Sequence, residues 1–372
     1  MPLLSTRINL NAIAHNVSAL KEHVGADVQL MCVVKADAYG HGVVDVARVM
    51  ERSGADAFGV ATIGEATALR DAGINAPILA WLWNNDVEPG SVSSALAANV
   101  ELAIPSLEQA RFLVDSKIPG KVCVKVETGM HRNGIDRADW DEIFALLASE
   151  EAAHLEVTGV MSHLACADEP GNEHNALQGA QLRAAIDCAR SHGLNVPVNH
   201  LAASGGAIAR EDLRFEQVRV GVACYGLSPF DEESGGVALR PAMTWAATVL
   251  NVKPVAAGES TSYGLTWRAE EAGYLAVVSV GYADGLPRAV QGVFDVTIGG
   301  KRYPQVGRVC MDQIVVSLGA NEFGVAIGDE VILFGEGGVS ASEVARAVGT
   351  INYEVVCWPG GRTRRVVEGA VE

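Results

Sequence analysis

Lys35 closes an apolar run, Leu30 to Val34, inside the stretch LMCVVKADAYGHG. The run is continuous, β-branched at its end and too short for a helix, so it reads as a buried strand. An amine at the end of such a strand either snorkels to water or loses hydration. The dehydrated, neutral amine is the form that attacks a carbonyl to give a Schiff base. Other polar residues fall at the ends of further strand-like runs. Tyr39 follows Lys35; Lys125, Glu127, Thr128 and Arg132 end or follow Val122–Val126; His163 follows Val157–Met161. His200 and Ser204-Gly205-Gly206 end or follow Pro197–Leu201, and Gln217–Cys224 carries Arg219 and Gly221, then Tyr225. A packed histidine or a core ion pair explains any one of them. Their joint position at strand ends is better explained by one shared site.

Such a site needs strands whose ends converge. Up to about residue 235 strand-like and helical patterns alternate. The remaining strand-like runs are Gln29–Val34, Ala57–Ala61, Pro77–Trp81 and Val100–Ile104, giving eight in all. Between them lie VVDVARVMERSG, TIGEATALRDAG and NALQGAQLRAAIDCARSHG, the last closed by Gly193. The fold class is α/β: a (β/α)8 TIM-type barrel of the usual size, ~250 residues, with its site at the strand C-termini. No GxGxxG follows the first strand to favour an open doubly wound sheet. The acidic, Gly-containing stretch SPFDEESGGVALRP, residues 228 to 241, reads as a linker. Beyond it come short strands parted by Gly, Asp and Pro turns, a two-glycine hairpin signal in IGGKRY, and one helical segment, SASEVARAVG, capped by Ser340 or Ser342. The domains are therefore 1–236, the barrel, and 237–372, a smaller, mostly β C-terminal domain.

The bulk properties narrow the partners. Of 372 residues 49% are hydrophobic and 20% charged, as in a folded globular protein. A net charge of −17 argues against nucleic acid and anionic membranes, which need a basic face. The seven cysteines form no CxxC pair and mostly sit in apolar runs, so they read as reduced core residues of a cytoplasmic protein. The N-terminus lacks the apolar core of a secretory signal, and no stretch has the length of a charge-free membrane span. No metal is expected.

Loops after the last two strands of a barrel often hold phosphate. Ser204-Gly205-Gly206 and Gly221 suit that use, and with Lys35 they suggest a phosphorylated aldehyde, pyridoxal 5'-phosphate. The motifs VVKADAYGHG, ETGMHRNG, VMSHLA, VRVGVACYGL, TSYGLTW, VSVGYADGLPR, VGRVCMDQ and INYEVVC, from residue 33 to 357, complete the picture. Through them the chain resembles the bacterial alanine racemases, barrel-type pyridoxal-phosphate enzymes.

The resemblance implies a racemase that interconverts L- and D-alanine with two bases, Lys35 on one face and Tyr263 on the other. It implies that His163 and Arg219 link Tyr263 to the cofactor, with Arg219 at the pyridine nitrogen. A guanidinium does not surrender its proton, so the ring nitrogen stays unprotonated and side reactions of a long-lived carbanion are limited. Cofactor contacts implied are Lys35, Tyr39, His163, His200, Ser204, Arg219, Gly221 and Tyr353. Arg132 and Met311 are implied for the substrate carboxylate, with Asp312 and Tyr282 near the entrance and Lys125, as a carbamate, behind Arg132. The second domain is implied to reach the barrel of another subunit, giving a homodimer with shared sites and an amino-acid substrate. Supply of D-alanine for peptidoglycan follows from the same likeness. Ala203, Asn133 and the tail CWPGGRTRRVV depart from the family pattern. The alternatives are a broader amino-acid or serine racemase and a non-catalytic pyridoxal-phosphate carrier.

Overall fold

Short aliphatic runs between helical segments build a parallel sheet in the computed structural model of the chain, which describes residues 2–84, 86–88, 90–230 and 235–369. The linker residues 231–234 lie outside the described residues. The N-terminal strand is β1 (Leu4–Asn9). The sheet contains β2 (Gln29–Val33), β3 (Ala57–Thr62), β4 (Ile78–Leu82), β5 (Val100–Ile104), β6 (Gly120–Lys125), β7 (Leu155–Met161) and β8 (Gln217–Val220). Its order is β7-β6-β5-β4-β3-β2-β8, parallel throughout, so it curls back on itself as a barrel does.

The expected seventh stave, Pro197–Leu201, closes the ring without becoming a regular strand. Toward β7 it makes Val198 N–H to Thr158 C=O (3.0 Å) and His200 N–H to Val160 C=O (3.2 Å). Toward β8 it receives Gln217 N–H at Asn199 C=O (3.2 Å) and Arg219 N–H at Ala202 C=O (2.9 Å). The ladder is interrupted because the Asn199 side chain takes over a main-chain role: its Oδ1 accepts from Val160 N–H at 3.0 Å. Gly159 lets the two backbones meet, since a Cβ there would lie 1.8 Å from the Val198 carbonyl oxygen. One residue from each of β2 to β7 (Met31, Ala57, Leu79, Ala103, Cys123 and Met161) fills the interior as a layer, with Trp81 packed on it.

Helix ends follow their signals. Thr62 and Glu65 form a capping box for the helix Ile63–Asp71. The helix Glu173–Ser191 ends before Gly193, whose φ of +89° suits a left-handed closing residue.

The chain divides into two units: Ile13–Ala38 with Gly42–Leu239, and Met1–Ala12 with Tyr39–His41 and Arg240–Glu372. The N-terminal residues thus fall outside the barrel unit to which a span of 1–236 assigns them. The reason is β1, which pairs antiparallel with β9 (Met243–Val255) and parallel with the last strand, Arg364–Glu368. The second unit's sheet has eight strands, with a hairpin at Asp295–Ile298 and Lys301–Val306 turned by Gly299 and Gly300, both at positive φ. Ser340 caps its helix Ala341–Val348. A four-residue helical turn at Asn352–Val355, not foreseen from the pattern, carries Tyr353.

Candidate functional site

Lys35 leaves β2 half-buried, with Nζ 5.9 Å from the Trp81 ring centroid. The Trp81 ring lies against Gly59, where a Cβ would come within 2.9 Å of it. The backbone then turns left-handed over four consecutive residues that are not glycine: Ala36, Asp37, Ala38 and Tyr39 have φ between +53° and +56°. Left-handed backbone costs about 1–2 kcal/mol per such residue. Local strain of this kind persists only where the surroundings enforce it, and it is concentrated at functional sites. Here Asp37 Oδ1 accepts from Val43 N–H (2.7 Å), which ties the turn to the next helix.

Arg219, on β8, is fully buried among neutral acceptors. Nη1 donates to His200 Nδ1 (2.8 Å) and to its carbonyl (3.0 Å). Nη2 donates to the carbonyls of Ser162 (2.6 Å) and Leu201 (3.1 Å) and to His163 Nδ1 (3.1 Å). A guanidinium only donates, so both imidazoles accept at Nδ1 and carry their proton on Nε2. For His200 that N–H faces Cys123 Sγ at 3.5 Å. Burial lowers Arg219 to about 10, leaving it charged at neutral pH. Burial, then the charges of Arg219, Arg132, Lys125 and Lys35, drives His163 down to about 3. Burial and Arg219 hold His200 well below its usual range.

Lys125, at the end of β6, is buried and faces cations. Burial, Arg219 and Arg132 bring it down to about 8, with Glu127 opposing. Glu127 is turned to its own loop: Oε1 accepts from the Gly129 amide and from Met130 N–H (2.7 Å). Burial raises its carboxyl, but the amides of Gly129, His131 and Met130 outweigh that and keep it ionised. This loop presents Arg132, which is exposed. Gln178 braces it from the helix Glu173–Ser191, donating to Thr128 Oγ1 (3.0 Å) and to the His163 carbonyl (2.8 Å). Ser204 is buried, and its Oγ accepts from the amides of Gly221 (3.1 Å) and Ala223 (3.5 Å).

The barrel unit therefore brings together Arg219, His163 and His200 by direct hydrogen bonds and Ser204 and Gly221 by another, and it holds Lys125 and Arg132 near enough for their charges to act on one another. A cationic site sits in a chain of net charge −17. The donor set fits a flat anionic group bearing an aldehyde: an amine beside an aromatic face, a buried cation, and a hydroxyl grouped with backbone amides.

In the second unit Tyr39 and Tyr353 lie with ring centroids 6.4 Å apart. Tyr263 stands on a turn between Ser262 (φ +62°) and Gly264 (φ +74°), and is 71% exposed. That turn packs on the start of the GRVCMDQ motif: a Cβ at Gly307 would lie 2.7 Å from Ser262 Cβ, and one at Gly264 3.0 Å from Arg308 Cζ. Met311 and Tyr282 are 58% and 44% exposed, and Asp312 is also exposed. Their loops are bound together, with Tyr282 N–H on Cys310 C=O (3.0 Å) and Ala283 N–H on Met311 C=O (2.9 Å).

Residues 8–229 match the alanine racemase N-terminal domain family, and residues 242–367 the alanine racemase C-terminal domain family. The chain is 54% identical to an alanine racemase of Corynebacterium efficiens, over 99% of either protein. The chain belongs to the alanine racemase family. Solved members have the same fold. The alanine racemase of Corynebacterium glutamicum superposes with a TM-score of 0.89 at 46% identity, covering 99% of this chain and 100% of that one. The alanine racemase of Streptomyces coelicolor gives 0.94 at 37% identity, covering 99% and 98%. Alanine racemases are isomerases, so this family membership makes the chain an enzyme of that class.

Within this alanine racemase fold several site residues escape sequence reasoning. Trp81 ends a strand-like run, and strand-end position is the signal that finds it. Cys123 and Gln178 have no such signal, because their partners lie 77 and 50 residues away. The same holds for Asp284 and Arg362. Asp284, fully buried, accepts from Arg362 Nε (2.8 Å) and Gly281 N–H (3.0 Å), while Arg362 Nη2 also reaches the Asp312 carbonyl (3.3 Å). The atypical tail thus anchors the loops that carry Tyr282 and Asp312.

Proposed function

We propose that the protein is a pyridoxal-phosphate-dependent alanine racemase that works with two bases, Lys35 and Tyr263. The observation that carries this reading is Arg219: buried, charged and hydrogen-bonded only to neutral acceptors, in the same unit as Lys35. Bound pyridoxal phosphate supplies the sink for the electron pair left when the Cα proton departs. Lys35 Nζ takes or returns that proton on one face of the substrate, and Tyr263 Oη does so on the other. A free tyrosine has a pKa near ~10, so Tyr263 needs help as a base; His163, through Nε2, and Arg219 provide it.

With the cofactor bound, Arg219 would face the pyridine nitrogen and keep its own proton. The Ser204 hydroxyl, the Gly221 amide and the hydroxyls of Tyr39 and Tyr353 bind the phosphate, and His200 orients Arg219. Arg132 and the Met311 amide bind the substrate carboxylate, because a planar fork matches that group. Asp312 and Tyr282 line the approach. At a pKa of about 8 Lys125 has a neutral fraction able to add carbon dioxide, releasing one proton. The resulting carbamate faces Arg132 and removes the repulsion between the two cations. The exposed Tyr263 and Met311 complete the barrel of a second subunit, so the working enzyme is a homodimer. It acts in the cytoplasm and supplies D-alanine for peptidoglycan.

The test is spectroscopic and chemical. The purified protein is expected to show an absorption band near ~420 nm. Borohydride should abolish the band and leave a cofactor-sized mass increase on the peptide holding Lys35. A panel of L-amino acids read out for D-products should give alanine the highest kcat/KM. A colourless protein that stays colourless with added pyridoxal phosphate would overturn the proposal.

A further inference from the structure

Three side chains outside this site converge on the outer layer of the barrel unit. Cys188 and His192 stand four residues apart at the end of the helix Glu173–Ser191. The backbone stays in register through His192, whose N–H reaches the Cys188 carbonyl at 3.3 Å, so the two side chains share one face. Asp141, in the first turn of the neighbouring helix Trp140–Leu147, approaches that face. Its Oδ1 lies 3.0 Å from His192 Nε2 and 3.6 Å from Cys188 Sγ. The three ligand atoms all lie within 4.8 Å of one another.

We propose that Asp141, Cys188 and His192 form a three-ligand site for a divalent cation of the zinc class. Bonds of ~2.3 Å to sulfur and ~2.0 Å to nitrogen and oxygen place tetrahedral ligand atoms about 3.3–3.6 Å apart. The two separations to Asp141 lie within about 0.3 Å of that range, and only Cys188 Sγ and His192 Nε2, within 4.8 Å of each other, have to close, by about 1 Å at most. One carboxylate and one thiolate neutralise a divalent charge. The mixed sulfur, nitrogen and oxygen set excludes magnesium and calcium, which take oxygen ligands. The last turn of a helix, with its outward carbonyls, favours a cation. Binding sends the Cys188 thiol proton to solvent and forms the metal–sulfur bond in its place. Asp141 is 87% exposed, so the ion enters from solvent and water takes the fourth position. Its effect is to staple two outer helices whose ligands are 47 residues apart in sequence, a separation at which no spacing motif is visible.

The experiment titrates the metal-depleted holoprotein with Co²⁺ as the spectroscopic probe and then with Zn²⁺. One Co²⁺ per chain is expected, with a thiolate-to-cobalt absorption that Zn²⁺ removes, and Zn²⁺ should raise the Tm. Cys188→Ala and His192→Ala should each weaken binding at least tenfold and cancel the Tm shift. Cys357→Ala, which changes an exposed thiol elsewhere, should change neither. No cobalt–thiolate band, or a band and Tm shift that survive in Cys188→Ala, would overturn the proposal.

Discussion

The two units hold their site residues in opposite ways. In the barrel unit Arg219, His200 and Ser204 are buried and hydrogen-bonded to one another or to the strands, and Lys125 is buried near the charges of Arg219 and Arg132. In the second unit Tyr263, Met311, Asp312 and Tyr282 are exposed, on turns held by backbone hydrogen bonds and, for Tyr282 and Asp312, by the Asp284–Arg362 pair as well. Burial sets charge: it makes both histidines neutral and orients them by a donor that cannot accept. Exposure with a fixed backbone sets position alone, and leaves the chemistry to whatever surface the residue meets. Damage to the buried residues of the first region should therefore change protonation and folding, and damage to the exposed residues of the second should change turnover alone.

The largest contrast is between the two bases. Lys35→Ala and Tyr263→Phe should each lower kcat by about 10²–10⁴. Tyr263→Phe should leave the Tm within a degree of wild type, and in ²H₂O it should lose Cα exchange from one alanine enantiomer only. Equal loss from both enantiomers would break the assignment of one base per face. Next comes Arg219→Ala, which strands the carbonyls of Ser162 and Leu201 and both Nδ1 atoms. It should cost about 2–4 kcal/mol in chemical unfolding and at least about a hundredfold in kcat. Asp284→Asn weakens the pair with Arg362 in the second unit. An expected cost of about 1–3 kcal/mol should come with a raised KM, since the loops of Tyr282 and Asp312 loosen.

Acid sensitivity tests the burial of the two histidines. His163 and His200 have folded pKa values below the unfolded value of ~6.5, so unfolding takes up protons below that pH. The stability they contribute is complete above about 6.5 and is lost as the pH falls toward the folded value of about 3 for His163. Urea midpoints of the cofactor-free protein should drop between pH 7 and 4, and His200→Gln should flatten the slope. A midpoint constant over that range would show that the buried histidines are not held neutral.

Much of this was legible in residues alone. The run before Lys35, the polar residues after successive strands and the Gly299-Gly300 hairpin each follow from periodicity and turn chemistry, which are local. That Ser204 and Gly221 lie together was readable because barrel strand ends share a face, so position along the chain stands in for position in space. What failed was non-local. The strand Leu4–Asn9 belongs to the second sheet because its pairing partners come more than 230 residues later. Asn199 breaks the expected seventh strand by lending its side chain to the ladder of β7.

Sequence by itself determined which chemical groups this protein owns and roughly where each strand ends, since both depend on neighbours a few residues apart. Only the tertiary structure decided which of those groups are neutral, which nitrogen of each histidine holds the proton, and which buried partners fix them. Those properties come from desolvation and from contacts between distant segments, and neither exists until the chain is packed.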